Sequence, residues 1–312
     1  MKNHRCLVVT LTTVFTLSGP VLYTTQAQEM PKEYEEVLTF LGKKGDYKDN
    51  VLKVNLPRND LKVTVAGMEI PTSFGFGGWL AMTKGNKGVD VMMGDFVLLE
   101  DEVNPVMSAL LDNGLEVTAL HNHFFWEEPR IFYMHVHGHG KAMDLARRAK
   151  PALEFIGHVS PPYEGKSTSE AGKSLPQSAV KIVGGKLDTE KLDQIIGHKG
   201  EVSGHVYKVT IGRDDLKLKE KGAVINARMG LNTWAAIVGT DENAAIAGDV
   251  AMREGEVNSV LKALRKNGLD VVAIHHHMIE AHPMVIFLHY WGTGPVQKLA
   301  TGFKAALDEL GK

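Results

Sequence analysis

The sequence predicts an α+β protein built from two tandem homologous domains, each a mainly antiparallel sheet with helices on one face. Three observations carry this expectation. The chain matches itself at an offset of 155 residues, which falls to 154 after a one-residue slip near Gly85–Gly88. Within each copy, extended apolar runs joined by short turns mix with amphipathic stretches of helical period, the pattern of an antiparallel sheet with segregated helices. At 312 residues and 44% apolar content the chain has the length of about two domains and enough apolar surface to bury their cores.

Lys2 and Arg5 precede an apolar run from Cys6 to Leu17, then Gly19-Pro20 and a small-residue stretch ending Thr25-Gln26-Ala27. This is the layout of a secretory signal peptide over residues 1–27, with cleavage after Ala27. The run is too short to span a bilayer. The single cysteine, Cys6, falls inside the removed segment, so the mature chain has no disulfide, thiolate nucleophile or sulfur ligand. Without Lys2 and Arg5 the mature chain carries 33 basic against 37 acidic residues. That balance, with no basic block, argues against a nucleic-acid partner.

The first copy spans 30–156 and the second 187–311, and residues 157–186, rich in Pro, Ser, Gly and Lys, read as a linker. Each copy opens with an amphipathic helix (Lys32–Leu41; Asp188–Ile196). Extended pieces follow at Val51–Leu56 with Leu61–Ala66, and at Val206–Ile211 with Leu216–Leu218. Next come a tryptophan strand (Trp79–Met82; Thr233–Val238) and an apolar strand (Val89–Leu99; Ala244–Met252). Glu102–Leu111 and Glu256–Leu264 read as helices, with Val103, Val106, Met107 and Leu110 on one face. Asn113-Gly114 and Asn267-Gly268 stop them, glycine suiting the left-handed position after a helix. A last helix closes each copy (Lys141–Phe155; Pro295–Leu310).

The chemistry-bearing residues lie between those last two helices. Ten of the fourteen histidines sit in Leu115–Gly140 and Leu269–Gly294. Alternate strand residues share a face, so His121 and His123 project together, as do His275 and His277. If residue 121 stands opposite 135, then His121, His123 and His135 converge in the first copy, and His275, His277 and His289 in the second. Three neutral imidazoles can hold a divalent transition metal, zinc or copper first, with a position left open. His137 and His139 have no counterpart, since Trp291 and Thr293 stand in the second copy, and they rank as accessory. Glu127 and Glu128, in the turn ending at Pro129, are the candidate general bases, and His282 a further donor. H-E-x-x-H, a G-x-S-x-G elbow and a phosphate-binding glycine loop do not occur. Glu102 and Glu256 are explained by the dipole at a helix start, Asp95 and Asp249 equally by turn chemistry or by function, and Trp79 and Trp234 by core packing.

Gly94-Asp95, Glu102-Val103-Asn104, the run from Gly114 to His123, Glu128-Pro129-Arg130, and His135 with Gly138 and Gly140 carry a resemblance, as do their second-copy counterparts. The chain resembles the tandem-domain family named after the mycobacterial lipoproteins LppY and LpqO, a domain of unknown function. The resemblance covers nearly all of the mature chain and implies an exported duplicated domain, without an established reaction. The chain departs from the named members in lacking a lipid-accepting cysteine after its signal, so no membrane anchor is expected on the mature form. The expectation is therefore a periplasmic or secreted protein binding a divalent metal through histidine clusters, its partner a metal ion or small molecule. A metal-dependent hydrolase of an envelope component is the first alternative. A metal-free ligand-binding module, its histidines serving as acid and base or lining a pocket, is the second.

Overall fold

The computed structural model describes residues 28–157, 185–279 and 281–312. The signal segment and residues 158–184 of the linker lie outside the described residues.

The first domain runs α1 (Lys32–Leu41), β1 (Gly45–Lys48), β2 (Val51–Pro57), β3 (Val63–Val65), β4 (Met68–Ile70), β5 (Gly77–Lys84), β6 (Asp90–Leu99), α2 (Glu100–Asp112), β7 (Glu116–His121), β8 (Glu127–Glu128), β9 (Ile131–Gly140) and α3 (Ala142–Leu153). The second runs α4 (Thr189–Ile196), β10 (Glu201–Ser203), β11 (Val206–Gly212), β12 (Lys219–Glu220), β13 (Ala223–Val224), β14 (Asn232–Gly239), β15 (Ala244–Arg253), α5 (Val257–Lys266), β16 (Asp270–His275), β17 (Val285–Gly294) and α6 (Val296–Leu307). Each forms one antiparallel six-stranded sheet, in the order β1-β2-β5-β6-β9-β7 and β10-β11-β14-β15-β17-β16. The α+β duplicated architecture is thus the one the sequence predicts. One local difference concerns Leu216–Leu218, which is not extended. A 3-10 turn covers Asp214–Leu216, and the short strand begins at Lys219.

The central strands are buried on both faces, and strand alternation explains how. On β6, Met92, Phe96 and Leu98 turn towards the helices, where they pack with Tyr34, Val106, Leu110 and Leu145. Val91, Met93 and Val97 turn the other way, into apolar clusters shared with the second domain. The two sheets therefore face each other across a pseudo-two-fold, helices outside.

Each domain also lends an arm to its neighbour. Val63, Val65, Met68, Ile70, Phe74 and Phe76, between β2 and β5, pack with Ala236, Val238, Ala245, Ala247 and Trp291 of the second sheet. In return Leu216, Leu218, Ala223, Ile225, Met229 and Leu231 pack with Val51, Ala81, Val91 and Met93 of the first. The segment Glu127–Glu128 is not a free turn, because it pairs with β3 at the base of the first arm.

Glu102 does more than face a helix dipole. Its carboxylate accepts from Arg58 Nη1 at 2.6 Å and Nη2 at 3.1 Å, from the Leu99 amide at 2.7 Å and from the Gly157 amide at 2.8 Å. Arg58 also donates to the Val97 carbonyl and to Asp60. The second copy repeats the device with Arg213, Glu256, Asp215 and the amides of Arg253 and Gly311. Each network ties the base of an arm, the start of a helix and the end of its domain to one buried charge pair. Removing one member leaves a buried charge without its counter-charge. Glu102→Ala is expected to cost about 3–5 kcal/mol of stability, read by urea unfolding; a loss within the range of a surface substitution would show that the pair holds nothing together.

Candidate metal centre at the domain seam

The site is assembled from one cross-strand row in each sheet. In the first, Asn55 stands opposite Trp79, Trp79 opposite Asp95, Asp95 opposite His135 and His135 opposite Ala119. In the second, the row is Thr210, Trp234, Asp249, His289 and Ala273. Both rows lie on the inward face, so the duplication places two equivalent sets of polar groups against each other.

The expected pairing of residue 121 with 135 is not found. A register irregularity between Val117 and Ala119 sets Ala119 opposite His135 and His121 opposite Tyr133, and β16 repeats it with Ala273 and His289. His121 consequently lies two pairs beyond His135, at the end of its strand. His123 follows beyond that end and stacks on the Tyr133 ring, while His277 stacks on Phe287.

As a result the histidines group crosswise. His123 is closest among them to His289 of the other domain, at 3.7 Å between ring centroids, and His277 to His135, at 3.9 Å. His121 and His275 stack on each other at 3.8 Å on the pseudo-axis. By ring position each H-x-H pair thus lies with the third histidine of the opposite domain, and of these two trios His121, His123 and His289 bring their ligand atoms within 4.8 Å. The Nε2 atoms of His121 and His289 are 3.2 Å apart. Ligand atoms lie within 4.8 Å of one another in three combinations here: His121, His123 and His289; His121, His135 and His275; and Asp249, His275 and His277.

All six rings are buried. Burial pushes every one of them below the ordinary histidine value, to about 3 for His135 and His289, and neighbouring imidazoles push most of them the same way. They are neutral, each offering a lone pair. His135 Nδ1 faces the Gly94 carbonyl at 3.3 Å and His289 Nδ1 faces the Gly248 carbonyl at 3.1 Å. Donation to those carbonyls fixes the tautomer and turns the Nε2 lone pairs into the seam, as a ligating histidine requires. Among the described residues, eight ring nitrogens of His121, His123, His135, His275 and His277 are buried without a hydrogen-bond partner. Each costs about 1–3 kcal/mol if nothing binds it, so the donor set fits a metal.

A cavity of about 490 Å³ reaches the cluster at His123, His277 and His289 and is lined also by Trp79, Trp234, Lys53, Lys208, Asp95 and Asp249. Burial raises the Asp95 carboxyl to about 7 and lifts that of Asp249 well above its ordinary value. Each lysine ammonium sits over the tryptophan of its own domain at 4.4 Å, and burial lowers Lys53 to about 8. Neither tryptophan is purely core, and Asp95 and Asp249 belong to the site and not to a turn. The two lysines were not among the sequence candidates, although Lys53 and Lys208 align in the repeat.

A second cavity of about 450 Å³ holds His121 and Glu127 together. Burial lifts the Glu127 carboxyl to about 7, against its contacts with the Ile131 amide and Asn122. Glu128 is exposed on β8, and His276 and His282 are exposed as well.

Fold and site together define a duplicated-domain protein whose halves share one buried histidine cluster. The chain belongs to the family described as Domain of Unknown Function (DUF1259), whose model matches it twice, over residues 35–155 and 190–309. No curated protein matches the chain. Among solved structures, EtuB from Clostridium kluyveri is similar at 9% identity over 85% of this chain and 90% of that one, with a TM-score of 0.20. A trimeric bacterial microcompartment shell protein, PduB, is similar at 10% identity over 84% and 88%, also with a TM-score of 0.20. Likeness at that TM-score carries no argument about fold or function.

The depressed histidines make acid stability a direct readout. As pH falls below about 6.5 the unfolded chain takes up protons that the buried rings refuse until about 3. In the chelator-treated protein His135 and His289 are each expected to lower stability by about 1.4 kcal/mol per pH unit across that window. The fall shows most cleanly between about pH 4 and 3, because above that the raised carboxyls of Asp95, Asp249 and Glu127 gain stability as they take up protons and offset it. Urea unfolding at a series of pH values measures it, and a flat profile there would contradict the burial of neutral rings.

Proposed function

We propose that the protein binds a divalent transition metal, zinc or copper, in the crossed trios His121, His123 with His289 and His275, His277 with His135. The observation that carries the reading is the set of unpartnered ring nitrogens converging at the seam. Imidazole nitrogens suit both ions, and three such ligands would leave a coordination position open; His123, His277 and His289 line the cavity. Metal bound there would supply Lewis-acid polarisation, while the chain's own groups exclude bulk water and orient whatever enters. The signal-like segment read from the sequence supports export, so that the site would work in the periplasm or outside the cell.

A second reading, a metal-dependent hydrolase acting on an envelope component, is favoured by Glu127. Its raised carboxyl shares a cavity with His121 and is suited to proton transfer near neutral pH. Exposed Glu128 adds no support. The large cavity also leaves room for a small molecule in a metal-free binding module, the reading left if no ion is taken up.

Elemental analysis of the untagged mature chain after reconstitution separates these readings, stoichiometric metal being expected and traces alone ruling it out. The crossed trios make a sharper demand. His289→Ala is expected to remove the same ion as the double change His121→Ala with His123→Ala, and combining all three should remove no further metal. Additive losses would mean that each domain holds its own ion.

A further inference from the structure

His137 and His139, the two histidines without counterparts, continue the inward face of β9 beyond His135. They meet a residue from the other domain. Glu220, on the exchanged arm, places Oε2 at 2.9 Å from His137 Nε2 and Oε1 at 2.6 Å from His139 Nε2. Glu116, the cross-strand neighbour of His137, places Oε2 at 3.3 Å from His137 Nδ1. The two rings are 4.8 Å apart and nearly perpendicular, so their nitrogens approach one carboxylate from different directions.

We propose that His137, His139 and Glu220, with Glu116 at the rim, form a second site for a divalent cation that prefers nitrogen and oxygen ligands, such as Zn²⁺, separate from the histidine cluster at the seam. Four considerations support it. The ligand atoms of His137, His139 and Glu220 lie within 4.8 Å of one another. A tetrahedral zinc site spaces its ligand atoms roughly 3.3 Å apart, so loading needs only a small outward movement of the carboxylate. Two carboxylates against two neutral imidazoles leave the spot with a charge a dication neutralises.

The third consideration is the hydrogen-bond pattern of His137. A neutral imidazole has one N–H, yet both His137 nitrogens face carboxylate oxygens, so one contact sets lone pair against lone pair. A cation resolves that conflict, and a proton is its competitor.

The fourth is asymmetry with access. Across the pseudo-two-fold the equivalent residues are Trp291, Thr293, Asp270 and Val65, and Trp291 packs edge-on against Phe74 and Phe124. One arm is thus seated by apolar packing, and the other by donors with side-chain exposures of 29% at His139, 24% at Glu220 and 55% at Glu116. Ions can reach this site from solvent. Because Glu220 comes from the second domain and the histidines from the first, a bound ion would fasten the arm to the opposite sheet.

The test is a Zn²⁺ titration of the full mature chain, stripped of metal, by calorimetry at mildly alkaline pH, where protons compete least. Compared with wild type, Glu220→Gln and His139→Asn are each expected to lose one equivalent or to bind it at least about tenfold more weakly. The chain with His121→Ala and His123→Ala should keep this equivalent, which separates the proposal from the seam cluster. Equal stoichiometry and affinity in wild type and both variants would overturn it. Should the variants unfold, imidazole resonances of the wild-type protein decide. Saturable zinc-dependent shifts of His137 and His139 support the site, and rings that respond to pH alone mark a proton-held contact and refute it.

Discussion

Strands that are apolar on both faces need cover on both, and that requirement shapes everything else in this molecule. Helices supply one cover in each domain. The other is supplied by the opposite sheet and the opposite arm, so neither inward face is complete without its neighbour. Whatever polar groups stand on those faces are withdrawn from water by the same event that buries Val91, Met93 and Ala247. Six histidines stand there, and their neutral state, with eight ring nitrogens on five of them left without a partner, is a consequence of that burial.

The supporting parts follow from the same demand. An arm that reaches across to the other domain needs a rigid root, and the Arg58–Glu102 and Arg213–Glu256 pairs provide one at each base. They are far costlier to break than an exposed ion pair, because neither partner can turn to water. Rigid roots keep the two cross-strand rows in register, which holds Asp95, His135, Asp249 and His289 in matching places. The cavity beside them is correspondingly two-sided, with one lysine-on-tryptophan stack from each half.

Much of this was legible in the residues. Duplication fixed the domain pairing, and period-two and helical patterns located most elements, including α1 to the residue. The six shared histidines stood out because the repeat kept them while replacing His137 and His139. What could not be read was how they group. One irregularity between Val117 and Ala119 shifts the register by one residue, the hairpin as a whole sets His121 opposite Tyr133, two residues from the expected partner, and no local signal marks either. The crosswise trios depend on contacts about 150 residues apart, which strand alternation cannot supply. Glu102 looked like an ordinary helix-start acid because its partner, Arg58, lies 44 positions upstream. Lys53 and Trp79 belong to different strands, and alternation fixes parity only within one.

The crossed trios also speak to how such a chain is put together. A closed two-fold contact in which each partner lends the other the same patch is the arrangement of a homodimer. Here both partners lie in one chain, and the two sides differ, with Trp291 where the other has His137. A version carrying one copy would possess every ligand type and yet no complete trio, until a second molecule docked and returned the missing histidine. Fusion makes that encounter intramolecular, so the cluster no longer depends on protein concentration, and it frees each half to change alone.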